Sequence, residues 1–295
     1  MEDSYASRRE VWEGWATQLA QDTLEPTRLG LAGPHHPADF ADRLYACEAL
    51  KPALANRRSA ELAEPYTLQW FLDIENQRHG RQGRWIPRLL EFAKHPGETL
   101  LGLGHGLGTD WLQYARHGAA VVVCSPSAEQ LGLIRRNFEV RGLSGRFLHT
   151  SFTALPLESS SIDVACVSGL LQEVAEPQRV VEEIYRVLKP GGKVLAVTPA
   201  RYDVDYWWHV FFPWQRWLAG RHHREPAMRF SSRGLRRLFG RFIEHRVYKR
   251  HLRRAEIPHV WRWLPPGLLQ RLMGRVLVLK ALKPLSAAMN VHLAA

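Results

Sequence analysis

The chain has 295 residues, 45% of them apolar, enough to bury a sizeable core in one large domain or one domain with an elaborate cap. Its three cysteines, Cys47, Cys124 and Cys166, are too few and too scattered for a disulfide framework or a CxxC metal knuckle, so a reducing cytoplasm is the simplest compartment. The net charge of +11 is uneven: residues 1–200 hold 21 Lys/Arg against 24 Asp/Glu, and residues 201–295 hold 19 against 5, with six of the eleven Trp. The charged start, MEDSYASRREVWEGW, has no apolar stretch of signal-peptide type, and no run approaches ~18 uncharged apolar residues, so neither a secretory signal nor a membrane span is expected.

Residues 1–60, rich in Ala, Leu and Glu, read as short helices around the interruption PTRLGLAGPHHPADF. PYTLQWFLDIENQRHGRQGRWIPRLLEFAKHPG reads as two helical pieces broken at Gly80 and Gly83. From Thr99 the pattern alternates. TLLGL is a buried strand, and a helix follows over about Thr109 to His117. AAVVVCS is a second strand, and Ser127 is placed to cap a helix that Gly142 stops. GRFLHT and IDVACVS are strands three and four. PQRVVEEIYRVLKPGG is a helix with Pro177 near its start and Gly191-Gly192 after its end, and KVLAVTP is strand five. Strand–helix alternation with doubly buried strands predicts an α/β fold, a parallel sheet with helices on both faces. Later, FSSRGLRRLFG and LLQRLMG read as helices. RFIEHRVYKRHL and RVLVLKALKP read as strands, an antiparallel addition at the sheet edge.

Four glycines, Gly102, Gly104, Gly106 and Gly108, follow the first strand. Their spacing does not fit GxGxxG, but Gly104, Gly106 and Gly108 fit GxGxG. Such a turn lets backbone approach a cofactor and aims helix amides at an anionic group; a tight strand–helix turn without a ligand uses glycines too. Fifty to ninety residues on come TALPLESSSIDVACVSGLLQEV and EEIYRVLKPGGKVLAV. Together these segments resemble the class I S-adenosylmethionine-dependent methyltransferases, type 11 group, in register from about Trp70 to Thr198. LPLESSSID and EEIYRVLKPGG are the most specific pieces.

The resemblance implies a Rossmann-like, seven-stranded, mostly parallel sheet with helices on both faces, an N-terminal helical extension and a C-terminal cap. It divides the chain into a helical lead (1–69), a cofactor-binding core (70–200) and a basic, Trp-rich cap with the last two strands (201–295). It implies S-adenosylmethionine as cofactor, and the loop Gly104, His105, Gly106 and Gly108 would hold the methionine end. Ser125 and Pro126 would lie by the ribose, and Ser151 and Phe152 by the adenine. Ser168, Gly169 and Leu170 would line the methyl-transfer channel.

Three acids of the family pattern are replaced: Gly102 stands in strand one, Ser125 at the end of strand two, and Ser151 after strand three. A hydrogen bond to a charged group contributes roughly 1.5–3 kcal/mol, so loss of the ribose and adenine contacts removes on the order of two to four decades of affinity. Restoring one, Ser125→Asp, is expected to tighten binding at least about tenfold. The family's HH pair falls on Gln172 and Glu173. Glu173 is the candidate base for a hydroxyl or amine, against the simpler alternative of a solvated side chain near a helix start.

The cap is densest at Trp207, Trp208, Phe211, Phe212, Trp214 and Trp217, followed by Arg221, His222, His223 and Arg224. The alternatives are a packed helical cap with a solvated basic face, a pocket for a small-molecule or lipid-like acceptor, and peripheral contact with a membrane. Nucleic acid has only the charge in its favour, with no reading motif. The tandem pairs His35-His36 and His222-His223 lack carboxylate or thiol partners, so no metal site is expected. The leading expectation is methyl transfer to a small-molecule or lipid-like acceptor. The alternative is a catalytically inactive methyltransferase-like protein that binds a partner or an anionic membrane surface through its basic third.

Overall fold

The computed structural model describes residues 66–80, 83–211, 228–252, 261 and 263–285. The expected helices of residues 1–60, and Phe212, Trp214, Trp217 and the Arg221–Arg224 run, lie outside them.

Helix α1 (Leu68–His79) and the short α2 (Trp85–Leu89) lead through one 3-10 turn into β1 (Thr99–Gly104). Then come α3 (Thr109–Arg116), β2 (Ala120–Ser125), α4 (Ala128–Glu139), β3 (Arg146–His149), β4 (Ile162–Ser168), α5 (Pro177–Val187) and β5 (Leu188–Pro199). The rest is α6 (Val204–Phe211), α7 (Ser232–Leu238), β6 (Ile243–Arg250), α8 (Pro266–Met273) and β7 (Val276–Leu282).

The seven strands lie in the order β3-β2-β1-β4-β5-β7-β6. The first five are parallel, and β7 runs antiparallel between β5 and β6. The last strand therefore inserts beside β5, and β6 becomes the outer edge. The central strands are apolar on both faces because both faces are covered. One core packs Val180 and Ile184 of α5, Leu235 of α7 and Phe239 just after it against Leu101, Leu103 and Val167. The other packs Trp111, Leu112, Ile134 and Phe138 against Leu100, Val123 and Cys166. On α5, Val180, Val181, Ile184 and Val187 form the buried stripe of a 3.6-residue period.

One expected boundary moves. Lys189–Gly192 do not merely end α5; they belong to β5, which starts at Leu188. The β4–β5 register jumps from Ile162↔Leu188 to Val164↔Lys193, so these residues bulge out of the pairing. At the base of the sheet Glu91, in the left-handed region at φ 58°, binds Lys193 on β5 at 2.8 Å and Lys280 on β7 at 2.7 Å. The segment before β1 is thus fastened across two strands.

Connectivity fixes the functional edge. The C-terminal ends of the parallel strands put Gly104, Ser125, His149, Ser168 and Pro199 on one edge. Ligands of open α/β sheets bind at this edge. Pro199 pairs with Val276 and Arg250 with Val276, so the start of β7, the end of β6, and with them α6 and α8, reach the same edge.

Candidate functional site

The glycine loop is a turn that side chains would block. Gly104 has φ 147°, and a Cβ there would lie 2.0 Å from the Ser168 carbonyl oxygen; Gly108 has φ 69° and would meet Ile134 at 2.7 Å. Helix α4 secures the turn from behind. The Gln130 amide donates to the carbonyls of Gly104 (3.0 Å) and Gly106 (3.1 Å), and Asn137 donates to that of Leu107 (2.8 Å). The His105 N–H donates to the Ser168 carbonyl at 3.3 Å, joining the tips of β1 and β4. Helix α1 lies over the turn, with Phe71 buried against Leu107 and Leu133.

The three acid-replacing residues have three different surroundings. Gly102 sits inside β1 beneath the Trp111 indole, where a Cβ would come within 2.6 Å of the ring. Trp111 Nε1 donates to the Cys166 carbonyl at 3.3 Å, so the ring is fixed there. Ser125 is fully buried; its hydroxyl donates to Gln130 Oε1 at 2.6 Å and accepts the Ser127 N–H at 3.2 Å. Ser151 is exposed, its Oγ 2.9 Å from Thr153 Oγ1.

The other candidates divide between cleft and core. Pro126 is exposed, its carbonyl accepting from His149 Nε2 at 2.9 Å. Phe152 and Leu170 are buried in the core, and the Phe152 ring meets His105 edge-on at 6.0 Å. Gly169, at φ 67°, has room beside it: an added Cβ would reach only Gln172 Nε2 at 3.6 Å and the His105 carbonyl at 4.0 Å. Glu173, half-exposed, lies 3.4 Å from His105 Nε2. His105, Phe152, Gly169 and Glu173 thus form one rim. Gly102 and Leu170 lie beneath it.

A cluster that motif reading missed closes the mouth between β1 and β4. Asp110, in the first turn of α3, accepts from Arg78 Nε at 2.6 Å and from Arg78 Nη2, and its Oδ1 lies 2.9 Å from His79 Nε2. Ser168 Oγ donates to Asp110 at 3.2 Å and accepts from Arg78 Nη2 at 3.0 Å. Burial alone raises the Asp110 pKa, but the Arg78 charge and the hydrogen bonds from Arg78 and His79 outweigh it and hold the carboxyl well below its usual range. The one available signal was Asp110 in LGTD directly after the glycines; Arg78 and His79 stand more than thirty residues earlier, outside any motif. Elsewhere burial pushes the Cys124 and Cys166 thiols up to about 12, so neither is a ready nucleophile. Among the described residues no group of His, Cys, Asp or Glu has the geometry to hold a metal. A cavity of about 130 Å3 between α5 and α7, lined by Gln178, Tyr185, Arg237 and Arg241, lies away from the rim.

The open space at Gly169 is bordered by Gln172 Nε2, 3.6 Å from where an added Cβ would lie, a donor suited to a carboxylate oxygen, so the surroundings offer more to the amino-acid end of S-adenosylmethionine than to its nucleoside end. At the end of β2 the Ser125 hydroxyl is already committed to Gln130 Oε1.

Residues 100–196 match the family model described as a methyltransferase domain. The chain is 37% identical over 103 residues to a demethylmenaquinone methyltransferase of Clavibacter sepedonicus, covering 34% of this chain and 40% of that one. It is 24% identical over 211 residues to 2-methyl-6-phytyl-1,4-hydroquinone methyltransferase 1 of Oryza sativa subsp. japonica, covering 64% and 63%. The match thus spans less than two thirds of the length of either relative. Among solved structures, the [4+2]-cyclase SpnF shares the fold at a TM-score of 0.50 and 22% identity, over 69% of this chain and 81% of that one. The last likeness shows the fold alone, on which reactions other than methyl transfer also occur. Sheet order, glycine turn and family match together identify residues 100–196 as a class I, type 11 S-adenosylmethionine-dependent methyltransferase domain.

Proposed function

We propose that the protein transfers a methyl group from S-adenosylmethionine to an aromatic, lipid-like acceptor of hydroquinone type. The observation that carries this reading is the glycine turn itself, kept free of side chains and locked by Gln130 and Asn137 beside the open rim at Gly169. The acceptor class rests on the names of the relatives. When bound, the cofactor's sulfonium supplies the electrophilic methyl group. The chain's task is to hold donor and acceptor in line and keep water out. In this reading Gly104, Gly106, Gly108 and Gln172 hold the amino-acid end, Pro126 and Ser151 border the nucleoside, and Phe152 backs the rim. Glu173, with His105 beside it, receives the acceptor's hydroxyl proton at a carboxylate oxygen.

Calorimetry with S-adenosylmethionine and S-adenosylhomocysteine tests the reading. Binding within the millimolar range is expected, weak for this fold because the ribose side lacks a charged partner. Silence with both ligands, from folded protein, rejects it. A second reading, a methyltransferase-like protein without activity, draws on the inward turn of the Ser125 hydroxyl, and that silent outcome would favour it.

A further inference from the structure

Helices α6 and α8 each carry two apolar faces. The inner one is ordinary: Val204 from α6 and Leu269 and Met273 from α8 are buried together. The outer one faces solvent. On α6, Tyr206 and Val210 stand one turn apart, 41% and 49% exposed, and Phe211 follows at 46%. On α8, Leu268 and Leu272 stand one turn apart, 46% and 49% exposed. Trp263, just before α8, is 80% exposed.

Scattered exposed apolar residues need no explanation, but these sit on two helices that are joined to each other. Trp207 Nε1 donates to the Leu272 carbonyl at 3.2 Å, tying the two helices. Phe211 stacks on Trp207 at 5.7 Å and meets Trp261 edge-on at 4.7 Å. A helix whose outer face met only water would place polar groups there.

Charge indicates the partner. Among the described residues, the acids of α6 and of the turn before it, Asp205 and Asp203, are paired within the layer. Asp205 takes Arg275 at two points, 2.6 and 2.9 Å, and Asp203 takes Arg229 at 2.6 Å. Arg201, Arg233 and Arg271 are exposed on the same edge, Arg271 between Leu268 and Leu272 in sequence. The chain from residue 201 onward carries a net +14. Aromatic and aliphatic side chains with interspersed arginines match the boundary between acyl chains and anionic headgroups.

We propose that the outer face of α6 and α8, with Trp263, is a docking surface for an anionic phospholipid bilayer. It lies on the edge of the sheet that also carries the glycine turn, so docking would bring the rim at Gly169 to the membrane surface. No helix among the described residues is long and apolar enough to cross a membrane, and the contact proposed is peripheral. The inference goes beyond methyl transfer and does not depend on it.

The test is co-sedimentation of the full chain with phosphatidylcholine vesicles and with vesicles containing about 30 mol% phosphatidylglycerol, at about 50 and about 500 mM salt. Binding to the anionic vesicles is expected, with at least tenfold weaker binding to the neutral ones and a loss at high salt. The double variant V210E/L272E, at two half-exposed positions, should fold as the parent does and lose at least tenfold in vesicle binding. Arg271→Ala should lose about fivefold toward anionic vesicles only. Failure of folded protein to bind either vesicle overturns the proposal, as does binding unchanged in the double variant. Self-association without lipid that the double variant abolishes would assign the face to a second copy of the chain and also overturn it. S-adenosylmethionine calorimetry on the double variant should match the parent, so a failure here and a failure of the methyl-transfer reading remain separable.

Discussion

Asp110 and Arg78 form a two-point ion pair across the mouth between β1 and β4, joining the helix that follows the glycine turn to the helix that lies over it. The Asp110 side chain is 4% exposed and the Arg78 side chain 26%, so loss of either partner has unequal consequences. Arg78→Met leaves a buried carboxylate with only His79 and Ser168, and should destabilise the fold by about 3–5 kcal/mol. Asp110→Asn leaves an arginine that water reaches, and should cost about 1–2 kcal/mol. Denaturant melts of both variants check the order. Equal losses would mean that the pair is not the buried contact described.

The absence of an acid in β1 has a steric cause. Gly102→Asp should not restore a cofactor contact; it drives a side chain into the Trp111 ring and should cost at least about 1–3 kcal/mol of stability. In a Trp111→Ala background the same substitution has space, and its added cost should largely vanish. The non-additivity, read from thermal melts, is the measurement.

This pair also marks what was legible in the sequence. Strand and helix periodicity, the cap at Ser127 and the glycine spacing are local patterns, and they were enough for the parallel strands and for the Gly104–Gly108 loop, but not for the start of β5 at Leu188. The place of β7 between β5 and β6 is a pairing choice that no local pattern encodes. The indole over Gly102, the Gln130 amide behind the loop and the Arg78–Asp110 link join residues distant in sequence and depend on side-chain packing. One-dimensional spacing could therefore list the absent carboxylates, but not what had taken their space.

Ser125 illustrates the difference. From sequence, Ser125→Asp should tighten cofactor binding at least about tenfold. In the fold the hydroxyl donates to Gln130 Oε1, and a carboxylate there would face that oxygen instead. Rotating the amide would relieve the clash but turn its oxygen toward the carbonyls of Gly104 and Gly106. Ser125→Asp should therefore lower stability by about 1–3 kcal/mol and gain less than tenfold in S-adenosylmethionine affinity. Calorimetry and a thermal melt on one sample decide; a gain of tenfold or more without loss of stability contradicts this account.

Glu173 is accessible at the rim and close to His105, so its replacement should separate chemistry from binding. With 1,4-naphthohydroquinone as acceptor, Glu173→Gln should lower kcat by about 10²-fold or more and leave S-adenosylmethionine affinity unchanged. A kcat within about twofold of the parent makes Glu173 a solvated surface residue.

Glu91 supplies a pH dependence remote from the site. Burial alone raises its pKa, but hydrogen bonds and charge from Lys193 and Lys280 overcome this and bring it down from 4.5 to about 2. Between those values the unfolded chain binds a proton that the native carboxylate refuses, so the contribution is complete above about pH 4.5 and lost as pH falls toward 2. Its size is on the order of 2–3 kcal/mol, and it depends on both lysines. The double variant K193M/K280M removes both hydrogen-bonding cations and leaves the carboxylate with only Lys94 at 3.5 Å and His95 at 3.8 Å: its pKa should rise from its native value, and acidification through the carboxylate range should then cost less stability than in the parent. Denaturant midpoints measured from pH 6 down to about pH 3 test this. Parallel curves for parent and variant would remove Glu91 as the source of the acid sensitivity.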